Sequence, residues 1–553
     1  MAQRNQVCDA GIASEYTTPC KEENSMSEKE TISFMFQNEP PQEPNSKDVS
    51  TSLDDEESCI DSLQFESSDE TRKTDVIRLH TSDLECKEEQ FHAFPPALFK
   101  LCTDYGSGIR KYNGRRITMA SNEGQLIKMT KLSTNAIIRL AGEKFIQLEE
   151  SSDGDLLMAG CLFPYQFSCL SKEEARDAGL VFYLLASAEK VGQKQFDHAR
   201  KLLDCCDKLS SSEGDPVQRL VFYFSKALNE RIDQETMKIR SMNFWKKQFL
   251  DVEKELMSID STYLAVCKAI PTGLIIDLAA IQAIVDHVPA AKKIHIIDFS
   301  IKGGQQHSML MQALTVQREP PLEHLKITAV TTKSKQKIEE TCNRLRSFAQ
   351  SLKLPFSFNV VIVDDILNLK EAHLPVDYDE TVIVYSAFFL RTMLAEPHRL
   401  EHLFRVIRNV KPYLMIVAEV ETNHNSPVFV TRFVEALFFY GAQFDCLEDC
   451  MKNDEPNRFN LESFYYSKGI HNIVAAEGEQ RTFSKVKVEV WRAFFDRFGM
   501  VETPLDITFL KQAKLVLKDF RCASSFTFDM DGKCLIIGWK ETPLYSLSAW
   551  KFN

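Results

Sequence analysis

In the first half of the chain, apolar residues recur every three or four positions, which is the spacing of amphipathic helices. The segment 131–149 carries such a stripe and is predicted to be a first helix that docks onto the domain after it. The pattern strengthens at Ser171, which has the spacing of a capping box with Glu174. Two more amphipathic stretches begin near Phe196 and after Pro216. This part of the chain therefore predicts a helical bundle or cap.

Beyond about residue 290 the pattern changes to short β-branched runs separated by helical stretches. Strands are predicted at 294–299, 326–330, 359–363, 381–385 and 414–420. The helical stretches between them include 306–317, 335–352 and 395–410. Apolar strands that alternate with amphipathic helices predict a mostly parallel sheet covered on both faces, which is an α/β fold.

The end of the chain has a different pattern. The runs 525–529 and 534–540 predict antiparallel strands that turn at Asp531 and Gly532. The apolar run 514–520 is too short to assign to a helix or a strand.

Charge is unevenly distributed along the 553 residues. Residues 1–90, the N-terminal tail, hold 22 acidic and 8 basic side chains, whereas residues 91–553 hold 57 acidic and 58 basic ones. The net charge of -13 therefore arises from the tail. The tail lacks periodicity and is predicted to be a disordered acidic arm. Its isolated hydrophobic residues, such as Phe34 and Phe36, are typical of segments that dock on co-regulators, and a solubilising tail is an equally good interpretation. The remaining domain can still present a local basic face to phosphates.

Several protein classes are disfavoured. Apolar runs stay well short of the ~20 residues that span a bilayer, and the polar start MAQRNQVCDA lacks the blocks of a secretory signal. The 15 cysteines include no CxxC pair, which disfavours a zinc ribbon or a thioredoxin-type site. We expect a chain without membrane contact, with reduced thiols, in the cytosol or nucleus.

The string IHIID at 294–298 resembles the VHIID signature of the GRAS family of plant transcriptional regulators. Other blocks similar to the family's leucine-rich, PFYRE and SAW regions follow in the family's order. They lie at 184–189, 215–224, 354–356, 432–437, 472–478, 491–492 and 538–550. Where the family usually has Gln-Trp-Pro, the chain has Gln306, His307 and Ser308, so it keeps the Gln and departs at the next two positions; it also has no recognisable DELLA motif in 1–150. It is identified as a scarecrow-like member of this family.

The resemblance implies a Rossmann-like, methyltransferase-like core with an α-helical cap and antiparallel strands at the C-terminus. It also implies a domain organisation in which a GRAS domain follows the arm. The expected parts are a disordered acidic arm at 1–90, a linker with a docking helix at 91–170, and the GRAS domain at 171–553, divided into a cap with the first leucine-rich region at 171–290 and the Rossmann-like core at 291–553.

A Rossmann methyltransferase needs glycines after its first strand, because the backbone must approach the cofactor closely. When Asp298 is aligned with the acidic residue that opens a DxGxGxG loop, Ser300 and Lys302 occupy two glycine positions and only Gly304 remains. The loop is therefore degenerate for S-adenosylmethionine, and no cofactor is expected. Asp298 with Gly303 and Gly304 stays a weak candidate for another small anionic or adenosine-like ligand.

Several other side chains are candidates for a catalytic or metal-binding role. His295 is interpreted as a packed or surface histidine rather than a base. Glu419 and Glu421 end a strand where α/β sheets hold ligands, but a strand end facing solvent shows the same spacing. Cys446 and Cys450 share a helix face and are interpreted as core thiols rather than metal ligands. Nothing assembles a nucleophile, a base and an orienting group, so neither a catalytic nor a metal site is predicted.

Macromolecular binding is the remaining interpretation. The apolar stripes in 176–191, 196–208 and 395–410 are candidate partner surfaces, although most of each stripe is predicted to be core. Basic residues that could contact a phosphate backbone are Lys246 and Lys247, next to Phe244 and Trp245, and the cluster Arg110, Lys111, Arg115 and Arg116. Solvated surface charges are the alternative for both groups.

Together these features predict a nuclear transcriptional regulator without catalysis. It would pair with other regulators, including GRAS proteins as a homo- or heterodimer, and would reach promoter DNA directly or through a partner. The alternative is a small-molecule methyltransferase or another ligand-binding enzyme of the Rossmann type. A scaffold that never touches promoters is a third possibility.

Overall fold

The protein was analysed as a computed structural model. It describes residues 131–150, 170–237, 260–301, 303–316, 321–331, 335–482, 484–506 and 508–553, and short pieces at 96, 98–101 and 167. All of them belong to one compact unit, Val76–Asn553. The predicted acidic arm and the basic candidates Arg110, Lys111, Arg115, Arg116, Lys246 and Lys247 lie outside the described residues.

Helices come first, as the apolar stripes predict. They are α1 (Thr134–Glu150), α2 (Lys172–Gly192), α3 (Phe196–Leu209), α4 (Pro216–Met237), α5 (Asp260–Ala269) and α6 (Thr272–His287). The capping box of α2 is confirmed, because the Ser171 hydroxyl accepts from the Glu174 amide and the Glu174 carboxylate accepts from the Ser171 amide, each at 3.2 Å. Local sequence signals thus specify where the helices of the cap form.

A βα alternation follows, as predicted. Its elements are β1 (Lys293–Asp298), α7 (Gln305–Val316), β2 (His324–Thr331), α8 (Lys335–Ser351), β3 (Phe356–Ile362), β4 (Thr381–Ala387), α9 (Pro397–Val410) and β5 (Leu414–Val420). These five strands pair in parallel, with β1 between β2 and β4. The change of strand order at β1 makes the gap between β1 and β4 the expected ligand crevice of such a sheet.

The last third adds more helices and antiparallel strands. Its elements are α10 (Phe429–Cys450), α11 (Glu455–Asn460), a π-helix (Leu461–Tyr466), α12 (Ser467–Val474), α13 (Val488–Asp496), β6 (Met500–Thr503), α14 (Phe509–Leu517), β7 (Phe526–Asp531), β8 (Cys534–Trp539) and β9 (Thr542–Phe552). The ambiguous run 514–520 thus begins inside a helix. Gly532 turns β7 into β8 with φ of 62°, as the sequence predicts. The sheet order is β3-β2-β1-β4-β5-β9-β8-β7, with β6 beside β9.

Both faces of the sheet are covered, which explains the continuous apolar runs of its strands. Ile294 and Ile296 pack in the core that includes the helical cap, whereas Ile297 packs in a second core with residues of α9 and α13. The tryptophans Trp491, Trp539 and Trp550 are all buried. Each therefore contributes to the packing of the core.

Helix α1 is fastened to the C-terminal part of the domain through Asp445 of α10. The Asp445 carboxylate accepts from the amide and the hydroxyl of Thr134, each at 3.2 Å, and from the Trp539 indole N–H at 2.8 Å. The Lys540 ammonium also contacts this carboxylate. The predicted docking helix therefore packs against the domain, through contacts with α10.

Two structural observations concern predictions about compartment. Cys450 and Cys522, which are 72 residues apart, form a disulfide with a Cα–Cα distance of 5.8 Å, so the expectation of reduced thiols throughout does not hold for this pair. Among the described helices, none is by itself long and apolar enough for a membrane span. Two helical pieces, Ser261–Ala269 and Thr272–His287, reach that length and apolarity only together, across a bend of 72°.

Replacing Asp445 tests the fastening of α1. We expect Asp445→Asn to lower the free energy of unfolding by about 3 kcal/mol, because it removes a buried charge from four donors. The matched control is Asp449→Asn on the same helix, since Asp449 is exposed and forms a salt bridge with Lys540 at 3.3 Å. Its effect should stay below about 0.5 kcal/mol. Chemical denaturation measures both, and equal effects would contradict the role given to Asp445.

Candidate functional site

The loop after β1 lies where a Rossmann enzyme holds its cofactor, and its centre is Asp298. This carboxylate is completely buried. One oxygen accepts from the amide and the hydroxyl of Ser300, at 2.7 and 3.0 Å. The other accepts from the Gln306 side-chain amide at 3.2 Å and from Nε2–H of His307 at 2.8 Å. Four hydrogen-bond donors of the protein itself therefore bind the Asp298 carboxylate, which would otherwise be available to a ligand.

Gln306, which matches the family pattern, and His307, which departs from it, are thus both part of this network. Both residues lie in the first turn of α7, so the helix begins by donating back to the strand that precedes it. The sequence did not predict these contacts, because nothing local indicates that the two side chains turn toward Asp298.

Gly304 is required by the backbone of this turn. Its φ is +74°, and a Cβ atom there would lie 2.9 Å from the Thr341 side chain and 3.2 Å from the Leu345 side chain of α8. At Gly303, by contrast, a Cβ atom would make an ordinary contact with the Arg344 guanidinium at 3.9 Å. Gly304 therefore allows α8 to approach the loop, which is a packing requirement. The role of Asp298, Gly303 and Gly304 in holding a ligand stays a prediction, and Lys302 lies outside the described residues.

The crevice between β1 and β4 is also closed by direct contacts. The Phe299 amide donates to the Tyr385 carbonyl at 3.1 Å, and the Ala387 amide donates to the Ser300 hydroxyl at 3.0 Å. A small cavity beside them is lined by Tyr385, His307 and apolar residues of α6, and it has room for about one water molecule. A nucleoside cannot enter a space of this size.

His295 is a packed histidine, as predicted. It is completely buried on β1, with Nδ1 3.0 Å from the Glu380 carboxylate and Nε2 2.7 Å from the Thr328 hydroxyl. Lys326 binds the same carboxylate at 3.1 Å. Burial, followed by the charge of Lys326, lowers the pKa of His295 to about 4. The residue therefore fastens Glu380 to the sheet.

A second polar group lies at the carboxyl ends of β4 and β5. Glu419 accepts from the Arg391 amide at 3.2 Å, and Glu421 accepts from the Val488 amide at 3.1 Å, at the start of α13. Both carboxylates belong to buried residues. The interpretation of this pair as a strand end facing solvent is therefore wrong. Burial raises the pKa of Glu421 to about 8, with a smaller contribution from Glu489.

His424 and Lys485 complete this group, and sequence analysis missed both. The His424 ring packs against Phe439 and Tyr440, and the Lys485 amine lies 4.5 Å from the centre of the Phe439 ring. Burial lowers the pKa of Lys485 well below its usual range, and the charge of Arg391 adds to this effect. The aromatic residues Phe439 and Tyr440 of α10 therefore pack around His424 and Lys485.

Most of the apolar stripes considered as partner surfaces are core. Ala199, Leu202 and Leu203 of α3 are buried, and so are Leu403 and Phe404 of α9. The corresponding stripe of α2 is buried along its length as well. Helical spacing alone cannot distinguish an interface from a core, and here the stripes pack within the domain.

Two exposed phenylalanines lie close together in sequence elsewhere. Phe459 is 45% exposed and Phe464 is 47% exposed, and they lie on the continuous helical segment formed by α11 and the π-helix. This segment is held from beneath by Glu462, which pairs with the buried Arg219 of α4 at 3.1 Å. Burial raises the pKa of Glu462 to about 7. Phe459 and Phe464 thus lie on a helical segment that Glu462 anchors to the domain. Turns of π-helix are frequent at functional sites.

The geometry defines a Rossmann-like α/β protein with a helical cap, whose cofactor loop is closed by its own side chains. The GRAS domain family model matches residues 180–551, so the chain belongs to the GRAS domain family, which confirms the resemblance found in the motifs. The homologues support a plant regulator of transcription.

Individual relatives agree with this assignment. The chain is 30% identical to DELLA protein 2 of Medicago truncatula over 377 residues, which is 67% of each chain. It is 31% identical to Scarecrow-like protein 18 of Arabidopsis thaliana over 402 residues, which is 66% of this chain and 90% of that protein. The match spans only 61% of DELLA protein GAI1 of Vitis vinifera. The crystal structure of SCL7 of Oryza sativa superposes with a TM-score of 0.55 at 27% identity, over 64% of this chain and 94% of that chain.

The closed loop predicts that S-adenosylmethionine does not bind. Equilibrium dialysis with the radiolabelled compound at millimolar concentration should show no saturable binding to the full chain. Asp298→Ala should lower the free energy of unfolding by roughly 3 kcal/mol, because four donors lose their acceptor. Asp364→Ala, at an exposed position after β3, is the control and should be close to neutral. Saturable binding that Asp298→Ala abolishes would contradict this account.

Glu421 predicts a pH dependence of stability. Its pKa of about 8 lies above the ordinary value of 4.5, so the folded protein retains a proton that the unfolded chain has lost. Stability should fall as pH rises from about 5 to about 8, and Glu421→Gln should remove this contribution. The stability of Glu421→Gln relative to wild type should rise across that window by on the order of 3 kcal/mol. Glu323→Gln, at an exposed salt bridge, should show no such trend. A constant difference for Glu421→Gln would contradict the raised pKa.

Proposed function

We propose that this protein is a nuclear regulator of transcription that acts by binding other regulators and has no catalytic activity. The observation that carries the proposal is the saturation of Asp298 by four donors of the protein itself, in a chain that belongs to the GRAS domain family. An enzyme of this fold needs an open, glycine-rich loop after the first strand for its cofactor. A binding protein does not.

The partner class is other transcription regulators, including second GRAS chains in a homo- or heterodimer. Because the apolar stripes of α2, α3 and α9 are largely core, partner binding has to use side chains exposed elsewhere. Phe459 and Phe464 support such a role, since exposed aromatic residues on an anchored helix are typical of interface anchors. We propose this helical segment as a contact site for a regulator protein.

Promoter DNA is reached directly or through the partner. For direct contact we retain Lys246, Lys247 and the cluster Arg110, Lys111, Arg115 and Arg116 as candidates. Their charge is what a phosphate backbone requires, and the net negative charge of the chain lies in 1–90. In this proposal, residues 171–553 form the GRAS domain, to which α1 is added by its contacts with Asp445.

The partner site can be tested with the full chain in plant cells. Fused to a heterologous DNA-binding domain, the wild-type chain should change the output of a reporter gene. The double variant Phe459→Ser/Phe464→Ser should reduce this change about tenfold or more, because two interface anchors are lost. Leu515→Ser, which removes an equally exposed apolar side chain from α14, is the matched control.

Two companion measurements distinguish the alternatives. Chromatin occupancy of the untethered chain should fall when its partner is depleted if DNA is reached through that partner, and should persist if contact is direct. Incubation with radiolabelled S-adenosylmethionine and cell extract should transfer no methyl group above background. An inert reporter together with robust methyl transfer would overturn the proposed function.

A further inference from the structure

Three sulfur atoms meet at the end of α10, and they are not part of the site described above. Cys450, the last residue of α10, is bonded to Cys522, which lies just before the 3₁₀ turn Ala523–Ser525 that leads into β7. The Cys446 sulfur lies 3.9 Å from that of Cys450, one turn earlier on the same helix. The Cα–Cα distance of 5.8 Å between Cys450 and Cys522 is within the ordinary range of disulfides.

The three cysteines differ in exposure. Cys446 and Cys522 are buried, whereas Cys450 is only partly buried. Burial, with the nearby charges of Asp445 and Asp449, raises the pKa of the Cys446 thiol well above its usual range. Since the thiolate is the reactive form, Cys446 is a poor nucleophile and a poor competitor for Cys450. The arrangement therefore favours one pairing, with Cys450 as the sulfur that a small oxidant reaches first.

The disulfide joins α10 to the C-terminal part of the chain at a place where hydrogen bonds and a salt bridge of Asp445 already join them. Asp445, five residues before Cys450, contacts Thr134, Trp539 and Lys540. These contacts do not depend on the disulfide, so the reduced chain retains a folded junction between α10 and the C-terminal strands. Oxidation then closes a loop over a sequence separation of 72 and restricts the unfolded chain. The pair is thus suited to a reversible change in stability rather than to folding itself.

We propose that Cys450 and Cys522 form a redox modification site that is a dithiol in a reducing compartment and a disulfide after exposure to peroxide. Persistent disulfides are rare in the cytosol and nucleus, where such pairs are usually transient or redox-sensing. In the first step, the Cys450 thiolate attacks hydrogen peroxide, the O–O bond breaks, and a sulfenic acid forms with release of hydroxide. In the second step, the Cys522 thiol attacks that sulfur, the S–S bond forms, and water leaves. Two electrons pass from the thiols to the peroxide, and a dithiol reductant returns them.

The test uses the purified full chain, reduced with dithiothreitol and then treated with hydrogen peroxide. Differential alkylation and mass spectrometry should show one new linkage, between the peptides containing Cys450 and Cys522. Renewed dithiothreitol under native conditions should remove it. The oxidised protein should melt on the order of 5 °C higher than the reduced protein.

Variants separate this site from general thiol oxidation. Cys522→Ser and Cys450→Ser should each abolish both the linkage and the rise in melting temperature. Cys446→Ala should retain both, and so should Cys205→Ser, which removes a partly exposed thiol elsewhere. If either serine variant fails to fold, the linkage and its reversal in the wild-type chain still decide the matter. Equal alkylation of Cys450 and Cys522 before and after peroxide would overturn the proposal, and so would a linkage that resists native reduction.

Discussion

The arrangement of the crevice depends on how the Asp298 carboxylate is satisfied. A buried carboxylate must find donors, and here Ser300, Gln306 and His307 supply them. These donors come from the loop after β1 and from the first turn of α7, so satisfying the acid also draws the helix onto the strand. Gly304 provides the positive φ that this turn needs. As a consequence, side chains of the protein itself bridge the crevice between β1 and β4.

Much of the fold could be predicted from the sequence because its signals are local. The β-branched runs give all five parallel strands, and the capping box of Ser171 and Glu174 gives the start of α2. Turn chemistry at Gly532 predicts the hairpin of β7 and β8. The run 514–520 could not be assigned, because a short apolar stretch fits a buried strand as well as the end of α14.

The polar interior could not be predicted in the same way. Whether Glu421 faces solvent or the core depends on Val488, which is 67 residues away and donates to it. Lys485 lies in apolar surroundings because α10 places the rings of Phe439 and Tyr440 against it. The partner of Cys450 lies 72 residues further along the chain. In each case the decisive neighbour is supplied by tertiary packing, which leaves no trace in local spacing.

The side chains around Asp298 hold the loop after β1 closed. Amide hydrogen exchange at Ser300 tests this closure most directly, because that amide donates to Asp298 at 2.7 Å. We expect slow exchange in the isolated chain, with no change on adding S-adenosylmethionine. Rapid exchange that becomes slow in the presence of the nucleoside would show an open loop that closes on a ligand, and would contradict the account.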